Sequence, residues 1–196
     1  MNGRNKEVFS IGHSNMSYRS FTSLLRKCSI EQVVDVRSIP FSRHVPHFNY
    51  EVIQRKLQQS GFNYEYLGNQ LGSHNLRMRN SCESLSEYRR QIACDAFNDG
   101  ITQLLERAGE HRVAIMCVES DPYRCHRHTI LAGELAKLGV TTQHILKNAQ
   151  VRSAFDAPME KSIAGEHWVQ RSLFEEVDAE PLSTGASSNE VLPRVA

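Results

Sequence analysis

The stretch "CVESDPYRCHRH", residues 117 to 128, places two cysteines, two carboxylates and two histidines in twelve positions. Cys117 and Cys125 offer nucleophilic thiolates, Glu119 and Asp121 offer proton transfer or charge stabilisation, and His126 and His128 serve either chemistry. Cys125 stands where a helix should begin, with Arg124, His126, Arg127 and His128 around it. A helix N-terminus and adjacent cations both favour the thiolate, so Cys125 is expected to be thiolate-prone and partly exposed. Cys117 ends an apolar run, where an inert packed thiol is as good an expectation as a functional one.

These residues depend on the elements that carry them. Val113 to Val118 is the clearest strand, and Cys125 to Leu138 reads as a helix stopped by Gly139. Upstream, strand patterns at Val8 to Ile11, Val33 to Arg37 and Tyr64 to Leu67 alternate with helical ones. One helix carries Phe21, Leu24, Leu25 and Cys28 on a face, and another starts near Tyr50 and stops at Gly61. A further helical pattern runs from about Leu85 to Ala108, broken near Asp95, and Val140 to Leu146 makes a last strand. Such β-α alternation predicts an α/β fold: a small Rossmann-like, doubly wound, mostly parallel sheet of about five strands with helices on both faces. The domain is expected over 1–148, with a flexible tail over 149–196. Ligands of such sheets bind beyond the carboxyl ends of the strands. Those ends carry His13 and Ser14, then Asp35 and Arg37, then the loop closing on Gly72, then Cys117 through Cys125.

Composition narrows the class further. Lys and Arg total 23 against 22 Asp and Glu, so net charge selects no partner. The longest apolar runs are strand-sized and the amino terminus lacks a signal-peptide core, so no membrane role is expected. Five cysteines without framework spacing argue against a disulfide scaffold and for a reducing cytoplasm. No cofactor is expected. Metal is set aside because the seven residues between Cys117 and Cys125 lack the tight Cys-x-x-Cys knuckle of structural zinc sites. A cysteine-phosphatase loop is excluded, since the position six after Cys117 is Tyr123 rather than arginine.

In this order, "IGHS", "VVDVRSIPFSR", "FN", "LGNQLG" and "CVESDPYRCHR" resemble the family catalogued as domain of unknown function 488, over roughly residues 8 to 146. The resemblance supports the fold and the site and brings no settled activity. Its characteristic residues map onto Gly12, His13 and Ser14, onto Asp35, Arg37 and Pro40, and onto Cys117, Glu119, Cys125, His126 and Arg127. His44 and His47 in "HVPHF" depart from the looser polar mixture of the family.

Three functions compete. The first expectation is a DNA repair or DNA modification enzyme acting on a nucleobase or nucleotide, with N-glycosidic cleavage as the reaction. Glu119 or Asp35 would be its carboxylate, Glu119 with a pKa raised by partial burial, and Cys125, Cys117 and His126 would support it. His13, Ser14, Arg37, Arg43, Gly72 and Arg127 would bind the substrate, with Arg37 and His13 equally suited to structural roles. The second is cysteine chemistry, sulfur transfer or redox, since "VVDVR" and a later strand-ending cysteine are similar to the rhodanese pattern. Glu119, Asp121 and Pro122 house a persulfide poorly, which counts against it. The third is a non-enzymatic nucleotide- or nucleic-acid-binding module. Arg77, Arg79, Arg89 and Arg90, and a loop interleaving Arg37, Arg43, His44 and His47 with Phe41 and Phe48, would suit phosphates and unstacked bases, or be solvated surface.

The tail adds a partner. Gln170-Arg171-Ser172-Leu173-Phe174 resembles the peptide by which bacterial replication and repair proteins bind the sliding clamp. Gln170 would hydrogen-bond, and Leu173 and Phe174 would fill an apolar pocket. The competing expectation is an amphipathic terminal helix docked on the domain through Trp168, Leu173 and Phe174.

Overall fold

The computed structural model describes residues 7–73 and 95–155. The chain divides into a unit Met1–Ala157 and a second unit Pro158–Ala196, and every described residue belongs to the first. Among the described residues, no helix is long and apolar enough to cross a membrane.

In chain order the elements are β1 (Glu7–Gly12), α1 (Tyr18–Lys27), β2 (Gln32–Asp35), α2 (Tyr50–Gln59), β3 (Asn63–Tyr66) and α3 (Gly68–Leu71). They continue with α4 (Asp95–Glu110), β4 (Val113–Cys117), a π-helical turn (Arg127–Ala132), α5 (Gly133–Lys137), β5 (Thr141–Ile145) and β6 (Val151–Ser153). The sheet order is β3-β2-β4-β1-β5-β6, parallel throughout except for β6, which runs antiparallel to β5. The fold is thus Rossmann-like α/β with six strands. β6 lies past residue 148, so the folded part extends beyond the boundary the sequence pattern suggested.

The central strands form because both their faces are buried. Along β4, Val113, Ile115 and Cys117 enter one core, while Ala114 and Met116 enter the other. The first core is completed by Phe97 and Leu104 of α4, Leu131 of the π-helical turn and Leu135 of α5. The second is completed by Phe21 and Leu25 of α1 and by Ile53 and Leu57 of α2. Each such fully buried side chain contributes about 1.5–3 kcal/mol over leaving it exposed. Burial on both faces produces continuous apolar runs rather than alternating ones. Ser17 caps α1 by accepting from the Ser20 amide, and Gly61 and Gly139 take the positive φ values that end α2 and α5.

After β1 the chain moves to β2 and β3 on one side, and after β4 it moves to β5 on the other. The carboxyl ends of β1 and β4, neighbours in register at Gly12 and Cys117, are therefore the topological switch point of the sheet.

Candidate functional site

β1 and β4 stay zipped past their formal ends. The His13 amide donates to the Cys117 carbonyl at 2.9 Å and the Ser14 amide to the Val118 carbonyl at 2.8 Å. Ser14 sits at φ +44, an uncommon conformation for a residue with a Cβ. Two buried polar networks flank this seam.

On the β2 side, Asp35 is fully buried and Arg37 is 3% exposed. The Arg37 fork grips the carboxylate, Nε donating to Oδ1 at 2.9 Å and Nη2 to Oδ2 at 2.6 Å. The Arg37 amide and the Tyr64 hydroxyl donate to the same carboxylate. Burial and the adjacent carboxylate push the Tyr64 phenol up, which keeps it a donor. Arg37 Nη1 then donates to His13 Nε2 at 3.1 Å, and His13 Nδ1 donates to the Ser14 carbonyl. The His13 ring stacks on Phe48 with centroids 4.1 Å apart, and Phe48 returns its carbonyl to Arg37 Nη2. Burial, reinforced by Arg37, holds His13 neutral with a pKa lowered to about 3.

On the β4 side the chemistry is sulfur. Cys125 Sγ accepts from Arg127 Nε at 3.2 Å and lies 3.6 Å from His126 Nδ1. Cys117 donates its thiol hydrogen to Cys125, and His126 Nδ1 is 3.9 Å from Cys117 Sγ. The Cys117 contact, then His126 and Arg127, hold the Cys125 thiol well below its ordinary pKa against the opposing effect of burial. The same contact and burial push Cys117 up. One proton between two sulfurs, with a guanidinium beside one of them, defines a thiol–thiolate pair. Arg127 is fully buried and fixed at three points, its other two nitrogens donating to the Ser10 hydroxyl and the Glu119 carbonyl. Ser10 Oγ bonds His144 Nδ1 at 2.6 Å, and His144 Nε2 meets His128 Nδ1 at 3.2 Å. Burial lowers the His144 pKa to about 3 and lowers that of His128 as well.

Several expectations are corrected. Glu119 is exposed rather than partly buried: β4 ends at Cys117, and the Glu119 side chain turns out to accept from the Asp121 amide. Asp35 is fully buried and accepts from four donor groups, an arrangement that positions Arg37. Arg37 and Arg127 are buried and bonded within the protein, so both hold the site together from inside. Cys125 is 5% exposed, not partly exposed. Gly72 is a packing glycine, because a Cβ there would strike the Gly68 carbonyl and Ser38. The helix expected from Cys125 opens as a π-helical turn, a feature frequent at functional sites. Arg43 and Phe41 are exposed on the loop after β2. Arg77, Arg79, Arg89, Arg90, Gln170, Leu173 and Phe174 lie outside the described residues.

Sequence reasoning missed Ser10, Tyr64 and His144. Their signal was present: Ser10 and His144 are polar residues within buried strands, and such residues need a partner. Among the described residues, Cys117, Cys125 and His126 also bring three soft or borderline donor atoms within 4.8 Å of one another, although seven residues separate the cysteines in sequence.

The buried histidines predict acid sensitivity. His13 and His144 stay neutral when folded down to about pH 3 but protonate near 6.5 when unfolded. The unfolded chain then binds more protons, so stability falls as pH drops below 6.5. Once the unfolded histidines are charged, each contributes a loss of about 1.4 kcal/mol per pH unit. Urea unfolding from about pH 7 to about pH 4 should show this slope, flattened by one histidine's share in His144→Gln. An identical slope in the variant would mean that His144 is not held neutral.

The fold defines a Rossmann-like α/β domain with a buried cysteine pair at the switch point of its sheet. The chain belongs to the family described as domain of unknown function DUF488, which it matches over residues 17–133, more than half its length. No curated protein and no solved structure matches it.

Proposed function

We propose that the protein is a thiol enzyme in which Cys125 attacks a sulfur electrophile and Cys117 resolves the product. The observation that carries this reading is the Arg127 guanidinium, donating to Cys125 Sγ at 3.2 Å with Cys117 as the second partner of that sulfur. In the first step the Cys125 thiolate takes one sulfur of a substrate disulfide and expels the other as thiolate. Cys117 then gives up its proton and attacks Cys125, releasing the second thiolate and leaving a Cys117–Cys125 disulfide. The dithiol loses two electrons and the substrate disulfide gains them. At 5% exposure Cys125 admits only a small substrate, of the size of a low-molecular-weight disulfide or persulfide. The N-glycosidic alternative needs a placed carboxylate, and neither Asp35 nor Glu119 is held as one.

Thiol mapping by mass spectrometry tests the reading. An ordinary thiol is a few per cent ionised near neutral pH, so Cys125 should react with small alkylating agents about tenfold faster than Cys28 or more. Arg127→Met should remove part of that advantage and Cys117→Ser more of it, since the Cys117 contact is the larger cause. Mild peroxide should give a Cys117–Cys125 disulfide, and Cys117→Ser should stop at a sulfenic acid. A Cys125 as slow as Cys28, or a disulfide formed elsewhere, would rule the reading out.

For the tail we propose sliding-clamp binding through Gln170, Leu173 and Phe174, supported by the residue pattern alone. A peptide spanning 166–176 should bind bacterial clamp with about micromolar affinity, since it must order on binding. Leu173→Ala with Phe174→Ala should abolish that binding and leave the domain's melting temperature unchanged. A large loss of domain stability instead would mark the segment as a docking helix.

A further inference from the structure

We propose that Cys117, Cys125 and His126 form a binding site for a thiophilic divalent cation of the zinc type. The inference goes beyond the thiol reading and needs only the positions of three donor atoms. Cys117 closes β4, and Cys125 and His126 lead into the π-helical turn, so two packed elements hold the donors before any ion arrives. All three side chains are buried.

The distances fit. Tetrahedral zinc has Zn–S bonds of about 2.3 Å and Zn–N bonds of about 2.0–2.1 Å, which set the S···N edge at about 3.6 Å. His126 Nδ1 lies 3.6 Å from Cys125 Sγ and 3.9 Å from Cys117 Sγ. The same nitrogen therefore stands within reach of both sulfurs, and all three donor atoms lie within 4.8 Å of one another, as a shared ion requires. Nothing bonds the far side of the ring, since His126 Nε2 is buried without a partner. The sulfurs are therefore the polar groups that meet this ring.

The surroundings suit a metal thiolate. Arg127 Nε donates to Cys125 Sγ and the Glu119 amide donates to Cys117 Sγ, so each sulfur has an outer N–H donor to spread its charge. Two thiolates balance the charge of one divalent cation, with the buried Arg127 guanidinium as a further positive charge beside Cys125. Sulfur donors with one imidazole select zinc-like ions over magnesium or calcium. With three protein donors among the described residues, the fourth position falls to water or to a ligand, the pattern of reactive rather than purely structural zinc sites. An ion and a Cys117–Cys125 disulfide use the same sulfurs, so the two states exclude each other.

Co2+ is the probe. The full-length chain, reduced and stripped of metal, should bind one Co2+ with intense tetrahedral visible bands and a thiolate-to-cobalt charge-transfer band. Zn2+ should displace it and Mg2+ should not. Cys117→Ser, Cys125→Ser and His126→Gln should each weaken binding at least about tenfold, and Cys28→Ser should leave it unchanged. In case a variant fails to fold, the wild-type chain carries its own control: Zn2+ should protect Cys117 and Cys125, and not Cys28, from alkylation. Absence of a charge-transfer band, or an ion that leaves both cysteines unprotected, overturns the site. A dithiol that oxidises as proposed but binds no Co2+ sinks the metal site alone. Co2+ binding by a chain whose metal-free Cys125 is inert sinks the thiol reading alone.

Discussion

Asp35→Ala is expected to lower the unfolding free energy by about 3–5 kcal/mol, a third or more of what a domain of this size possesses. The carboxylate itself is a minor part of the loss. Arg37, 3% exposed, would remain buried with its counter-ion gone, and three of its donor contacts would face a void. Tyr64 would lose the acceptor its hydroxyl meets at 2.8 Å. Asp35→Asn keeps the shape and some of the acceptors, so it should cost about half as much, chiefly through the lost charge. The double change Asp35→Leu with Arg37→Met removes both charges and should recover most of the stability, because buried pairs repay little beyond their own desolvation. That double variant still takes from His13 Nε2 and the Phe48 carbonyl the donors that Arg37 supplies. Urea unfolding of the wild type, the single variants and the double variant closes the cycle. An Asp35→Ala chain within about 1 kcal/mol of the wild type would mean that Arg37 escapes to water, and that this network does not hold the strand ends together.

Much of the fold was legible because the strands are buried on both faces and so announce themselves as apolar runs. The convergence of the site residues was legible for the same reason: once β1, β2 and β4 are placed, their carboxyl ends follow, and His13, Asp35 and Cys117 come with them. What the pattern hid has physical causes. β6 is three residues long with two of them exposed, too short and too wet to show a period. The π-helical turn changes hydrogen bonding by one residue without changing which side chains are apolar. Above all, sequence reading treats charge as surface, and here Asp35, Arg37 and Arg127 are interior. Each is buried because each is paired, and pairing is a property of the folded seam rather than of neighbours in sequence. Glu119 erred the other way. Its place after an apolar strand suggested burial, but the buried run ends with β4 at Cys117.

Gly12→Ala should damage fold and site together, through a single methyl group. Gly12 needs no unusual φ; it needs space. A Cβ at this position would collide with the Glu119 carbonyl oxygen and carbon, and both are backbone atoms that cannot swing aside as a side chain would. The seam on either side is zipped by the His13 and Ser14 amides, so the strand ends cannot part locally without breaking those bonds. Overpacking of this kind costs about 1–3 kcal/mol, with the upper end expected where backbone must move. The Glu119 carbonyl is also what Arg127 Nη2 donates to, so displacing it loosens the guanidinium that holds Cys125. The alkylation rate of Cys125 should therefore fall toward that of Cys28 in the same variant. Gly109→Ala is the control: it lies in α4 with nothing within 4 Å of the added methyl. It should stabilise the chain by about 0.5–1 kcal/mol and leave Cys125 untouched. A Gly12→Ala chain that melts with the wild type and keeps a fast Cys125 would mean that the ends of β1 and β4 do not meet over Glu119. Arg127 would then not be anchored from that side, and the thiolate would need another source of stabilisation.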